Sequence, residues 1–101
     1  MKYVVSQPQA PVGAALQTIK PVHFYCAAPK AKLVELAGDF NHWHPFPMEM
    51  LVDGWWFTTV QLGPGHHQYY FLVDGRLTLD PQATGISRND RNERVSLVAV
   101  S

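Results

Sequence analysis

Turn-forming residues pace this chain from Pro21 onward and leave room for short strands only. Pro29-Lys30, Asp53-Gly54, Gly63-Pro64-Gly65, Asp74-Gly75 and Asp80-Pro81 separate runs rich in Val, Thr and aromatic residues. Asp-Gly between two such runs is a strong hairpin signal, because Gly accepts the positive φ that a tight turn needs. No segment of helix length shows a 3.6-residue apolar period. Several short strands at this spacing predict a β-sandwich. At 101 residues the chain has room for one domain with a modest core.

Period-two alternation assigns faces. In Trp56–Leu62 one face carries Trp56, Thr58, Val60 and Leu62, and the other Phe57, Thr59 and Gln61, with Trp55 just before them. In His67–Val73 one face carries His67, Tyr69, Phe71 and Val73, and the other Gln68, Tyr70 and Leu72. Both faces hold aromatics, so composition alone does not say which is buried. Residues 1–20 read as an extension, with the domain at 21–101. Gln7–Pro11 is punctuated by proline, and Val12–Ile19 is long enough for one or two helical turns that must dock or fray. The expectation is a tail packed on the domain or on a partner.

Charge narrows the partners. Charged residues make up 16% of the chain and the formal net charge is zero. A nucleic-acid or polybasic membrane-surface role would need a Lys/Arg excess; a neutral polyol would not. The lone Cys26 excludes an internal disulfide and, within Val22–Ala27, reads as a buried thiol. No run approaches the roughly 18 apolar residues of a membrane helix, and Met1–Ser6 lacks the apolar core of a signal peptide. A cytoplasmic location is the default expectation.

Chemistry centres on Leu36-Ala37-Gly38-Asp39-Phe40-Asn41-His42-Trp43-His44-Pro45. A strand-like run ends in Gly-Asp-Phe-Asn, and an indole follows in a polar, Pro-closed loop. Such a ring is either a core plug or a binding platform. Catalysis is not expected. Glycoside hydrolysis needs two carboxyl groups roughly 5–9.5 Å apart across a sugar, and Asp39, Asp53, Asp74 and Asp80 all stand in turn-like settings where Asp bonds backbone. His42-x-His44 and His66-His67 lack a metal-site spacing, so neither metal nor cofactor is expected. Gln82–Arg94 reads as a long polar loop.

The ordered set Gly38-Asp39-Phe40-Asn41-x-Trp43, Asp53-Gly54-Trp55-Trp56, Gly63-Pro64-Gly65, His67-Gln68-Tyr69-Tyr70-Phe71, Val73-Asp74-Gly75 and Asp80-Pro81 resembles carbohydrate-binding module family 48. That family includes the module of AMP-activated protein kinase β subunits and the N-terminal modules of branching and debranching enzymes. The resemblance covers roughly Val22–Val100. It implies an all-β, immunoglobulin-like (early-set) sandwich of about seven strands, with Trp56, His67 and Tyr69 turned inward. The catalytic barrel of the related enzymes, about 250 residues, has no room here.

The resemblance also implies a site for α-glucan: glycogen, starch or maltooligosaccharide. Trp43 aligns with the loop Trp that stacks on glucose. The loop matching Gln82–Arg94 closes over the sugar in that family with an apolar tip, for which Ile86 is the one candidate here. Tyr70 stands where the kinase-subunit modules have Lys, Leu77 where they have a second stacking Trp, and Val95 near their Asn. Tyr70 adds a ring and a hydroxyl on the face of the lost Lys, and Arg76, Asn89 and Asn92 are the candidate donors nearby. Trp55 and Phe57, side by side if Trp56 is inward, are the candidate surface for a partner, a second copy or the N-terminal segment. Two other functions follow from the same residues. One is an interaction or regulatory module that keeps the fold without the sugar. The other is an accessory domain serving a glucan enzyme or a kinase-like subunit in trans.

Overall fold

Both Asp-Gly pairs close hairpins. In the computed structural model, which describes residues 18–101, Asp74 and Gly75 adopt φ 50° and 82° between paired Val73 and Arg76. Asp53 and Gly54 adopt φ 62° and 78°, and Leu51 N–H closes their turn on the Trp55 carbonyl at 2.6 Å. A Cβ on Gly54 would also meet Pro29 at 2.4 Å, so glycine is needed there for space as well as for φ. The tail contact and nearly all of the Val12–Ile19 turns expected above lie outside the described residues.

The strands in chain order are β1 (Lys20–Ala27), β2 (Val34–Gly38), β3 (Phe46–Pro47), β4 (Glu49–Met50), β5 (Trp55–Leu62), β6 (Gly65–Val73), β7 (Arg76–Thr78), β8 (Gly85–Arg88) and β9 (Arg94–Val100). Only two 3-10 turns, Asp39–Asn41 and Val52–Gly54, interrupt them among the described residues. The count exceeds the seven expected, partly because β3 and β4 are two-residue pairings. The large sheet has the order β3-β2-β6-β9-β8, with β7 also on β6; the small sheet is β1-β5-β4.

Phe24 and Cys26 of β1, Trp56 and Leu62 of β5, Val34 and Leu36 of β2, and Tyr69 and Phe71 of β6 form one buried cluster. Both sheets contribute, so the core lies between them and the molecule is a sandwich. The inward turn of Trp56 and Tyr69 is borne out, at 6% and 2% exposure, and Cys26 is buried as expected. The long polar loop is not as expected. Gly85–Arg88 pairs with β9 from Leu97↔Gly85 to Arg94↔Arg88. This edge strand was hidden in the sequence because its side chains are mostly small or polar.

Candidate functional site

The loop that carries Trp43 is fastened to β2, which it leaves, and to the adjacent β6. Gly38 is the last residue of β2 and pairs with Tyr69. A Cβ there would lie 2.4 Å from the Phe40 ring and 2.8 Å from the Gln68 carbonyl, so only glycine allows the chain to fold back so closely. Asp39 then accepts the Gln68 N–H at 3.0 Å, and Asn41 Oδ1 accepts the Gly38 N–H at 2.9 Å. Trp43 N–H donates to the Gly38 carbonyl at 2.8 Å. His42 and Trp43 both take left-handed φ, 57° and 62°, a conformation that costs roughly 1–2 kcal/mol per non-glycine residue. The hydrogen bonds offset that cost and hold the indole at one place.

That place is the outer face of the large sheet. Ala37, Tyr70 and Val95 form a second buried cluster, with Trp43 and Leu72 packed on it. The indole stacks on the Tyr70 ring with centroids 5.1 Å apart and planes 28° from parallel. Tyr70 is thereby reduced to 6% exposure. Tyr70 does put its ring on the expected face, but as the bed on which Trp43 lies and not as a ring open to a sugar. Val95, at 0% exposure, forms part of that bed.

One tight turn borders the ring pair. Asn89 Oδ1 accepts the N–H groups of Arg91 and Glu93 at 3.0 and 2.9 Å, and its Nδ2 donates to Glu93 Oε1 at 2.8 Å. Arg88 Nη1 donates to the Asn92 carbonyl at 2.7 Å, while Asn92 turns the corner at φ 62°. Arg91 lies 3.8 Å from Glu93. Burial raises the Tyr70 phenol above its ordinary value; the Glu93 charge adds to this and the Arg91 charge opposes it. Glu93 and Arg91 thus stand within electrostatic reach of the Tyr70 hydroxyl.

The other sequence candidates divide. Leu77 pairs with Leu72 on the Tyr70 side of the sheet and is exposed, so it extends the apolar surface. Asn89 is near but spends its amide bracing the turn. Asn92 is exposed at the same corner. Arg76 is not brought to the site: one residue before Leu77, it lines a cavity with Cys26, Pro29 and Asp74 on the opposite side. Ile86 is not a loop tip over Trp43. It is on β8 opposite inward-facing Ser96 and lines a cavity with Tyr25 and Trp55. Arg91 and Glu93 were missed, because within a run of mixed charge nothing distinguishes them until the Asn89 turn is formed.

Trp55 and Phe57 lie on the outer face of the small sheet, as the inward turn of Trp56 requires. Phe57 is covered by His23 and Tyr25, with ring centroids at 5.7 and 5.1 Å. Trp55 is 44% exposed and Tyr25 49%. Among the described residues no helix is long and apolar enough to cross a membrane.

Two sheets packed over one core, with an indole held on the outer face of the larger, define the class by architecture: a β-sandwich module. The chain belongs to the family described as the glycogen recognition site of AMP-activated protein kinase, whose profile matches residues 21–101. It is 42% identical over 50 residues to the 5'-AMP-activated protein kinase subunit beta-1 of Sus scrofa, covering 50% of this chain and 40% of that one. With the Homo sapiens subunit the figures are 40% over 50 residues, 50% and 18%. It is 30% identical over 84 residues to the 1,4-alpha-glucan branching enzyme GlgB 2 of Rhizobium johnstonii, covering 79% of this chain and 11% of the enzyme. The maltogenic amylase structure from S. marinus shares the fold at TM-score 0.67 and 19% identity, over 80% of this chain and 13% of that one. The chain therefore spans less than half the length of each of these relatives.

Proposed function

We propose that the chain binds α-glucan through Trp43 and has no chemistry of its own. The observation that carries this reading is the Trp43–Tyr70 stack: one indole face lies on a buried ring while the residue keeps part of its surface at solvent. A glucose ring presents a face of C–H groups suited to a flat aromatic surface, and its hydroxyl rim needs directional partners. Arg91, Glu93 and Asn92 provide these from one side, and Leu77 extends the contact. A single stacking ring implies weak affinity.

Calorimetric titration with maltoheptaose tests the reading. Saturable binding that is lost in Trp43→Ala supports it. Unchanged binding in that variant, or none at about millimolar ligand, overturns it. Release of reducing sugar from glycogen by the purified chain would overturn the non-catalytic part.

A second reading rests on the exposure of Trp55 and Tyr25. In it the small sheet docks a partner, such as a glucan enzyme, a kinase-like subunit or a second copy. Light scattering of the wild type against Trp55→Ser checks self-association; a monomer in both, with neither class of partner bound, counts against it.

A further inference from the structure

His67 touches three parts of the molecule at once. From β6 its ring meets the Phe40 ring edge-on, with centroids 6.4 Å apart. Its Nε2 stands 2.9 Å from the Gly63 carbonyl, in the turn by which the chain crosses from the small sheet to the large one. Its Nδ1 faces Asp39 Oδ1 at 3.7 Å. The other oxygen of that carboxylate accepts the Gln68 N–H and so ties the Trp43 loop to β6. The imidazole is largely withdrawn from water, its side chain 19% exposed against 40% for Asp39.

Both partners of the ring are acceptors. A carbonyl cannot donate, so Nε2 carries a hydrogen. A neutral imidazole then has none left for Nδ1 and turns a lone pair toward the carboxylate. Only an imidazolium offers an N–H to each partner, and imidazoles exchange these two forms between about pH 5 and 8. Protonation thus turns the approach to Asp39 from repulsive to attractive, at the carboxylate that moors the loop.

The other groups around the ring are few. β9 presents Val98 opposite His67. β1 brings Lys20, which stands opposite Leu62 and donates to Ser101 Oγ at 3.3 Å. Tyr69, next on the same face of β6, gives its hydroxyl to Asp80. His66 beside it is exposed, as are His42 and His44, which flank Trp43 on the loop.

We propose that His67 is a positioning residue for the glucan platform: its protonated ring draws in Asp39, steadies the Trp43 loop and tightens glucan binding at acid pH. This rests on the Trp43 reading above. The attraction is complete below the imidazole range and is lost as the pH rises through it. Because Asp39 is partly open to solvent, which screens the pair, the gain in affinity is about threefold.

Titration with maltoheptaose at about pH 5.5 and about pH 8 tests this in the wild type, His67→Gln and Asp39→Asn. The last keeps an oxygen for the Gln68 N–H and removes only the charge. Wild-type affinity should be about threefold higher at the acid end, and both variants should lose the difference. The difference should persist in the His42→Gln, His44→Gln double variant. Equal wild-type affinities overturn the proposal, as does a difference that survives Asp39→Asn or disappears with His42 and His44. Amide dispersion reports the fold of each variant, and if His67→Gln does not fold, Asp39→Asn decides. If no form binds maltoheptaose, the Trp43 reading fails by itself. Protection of the Trp43 amide from hydrogen exchange, corrected for intrinsic rate, then decides the positioning role. Greater protection at the acid end in the wild type but not in Asp39→Asn supports it, and any other pattern overturns it.

Discussion

Trp43 covers Tyr70: the two rings stack at 5.1 Å and 28°, and the phenol beneath is 94% withdrawn from solvent, being 6% exposed. The platform is thus a two-layer object, and its layers answer to different substitutions. Trp43→Ala should abolish maltoheptaose binding and lower stability by about 1–3 kcal/mol, the range for losing a ring contact and its burial. Tyr70→Phe keeps the bed and should change affinity by less than about 1 kcal/mol. Tyr70→Ala should weaken binding as Trp43→Ala does. Calorimetry on the three variants decides this; a Tyr70→Phe variant that cannot bind would make the hydroxyl a direct ligand.

In the proposed site the polar partners come from one turn, Asn89–Glu93. Arg91→Ala should weaken binding about tenfold, ~1.4 kcal/mol, whereas Arg76→Ala should leave it unchanged, since Arg76 lines the opposite cavity. The two titrations run side by side; a larger effect of Arg76→Ala would reverse the assignment.

Gly38 has no room for a methyl group: its Cβ would sit 2.4 Å from Phe40 and 2.8 Å from a backbone carbonyl. Gly38→Ala should cost about 1–3 kcal/mol by overpacking. Because the Trp43 loop starts there, glucan affinity should fall as well. Urea denaturation gives the first effect and calorimetry the second. A stable variant that has lost its binding would show strain confined to the loop.

Alkali should destabilise the fold in part through Tyr69, which holds its proton more tightly folded than unfolded. Its hydroxyl donates to Asp80 Oδ2 at 2.6 Å, while Asp80 also receives Gln82 N–H at Oδ1 and donates its own N–H to Ser96 Oγ. Burial, then the Asp80 hydrogen bond and charge, raise the phenol above its usual 10.0. A raised value means that the folded state holds the proton more tightly than the unfolded chain. The stabilisation is therefore complete below about pH 10 and is lost as the pH climbs toward the folded value. Thermal melts should fall in Tm above about pH 10, and less steeply in Tyr69→Phe. Equal slopes would remove Tyr69 from the account.

The strand order of this sandwich was not written in the sequence, but its turns and faces were. Asp53-Gly54 and Asp74-Gly75 announced their hairpins through the φ that they require, and alternation around Trp56 and Tyr69 sorted inside from outside once the family resemblance set the sign. Trp43 was legible as a loop indole. The Tyr70 burial was not, because alternation places its face outward and only the returning loop covers it. Arg76 and Leu77 looked equivalent as neighbours, yet adjacent strand residues point to opposite sides of a sheet. Asn89, Arg91 and Glu93 became a unit only through a turn closed by a side-chain amide, which leaves no period in the sequence.

The Asp39 carboxylate takes the Gln68 N–H where β2 runs out, so a side chain continues the ladder by one rung. With Trp43 tied back to Gly38, the ring is mechanically part of the sheet rather than of a loose loop. With glucan seated on Trp43 as proposed, a pull on the polymer would pass through the indole into β2 and β6, neighbours in the larger sheet. Detachment under load should then come by slippage at the sugar face, with the loop still in place.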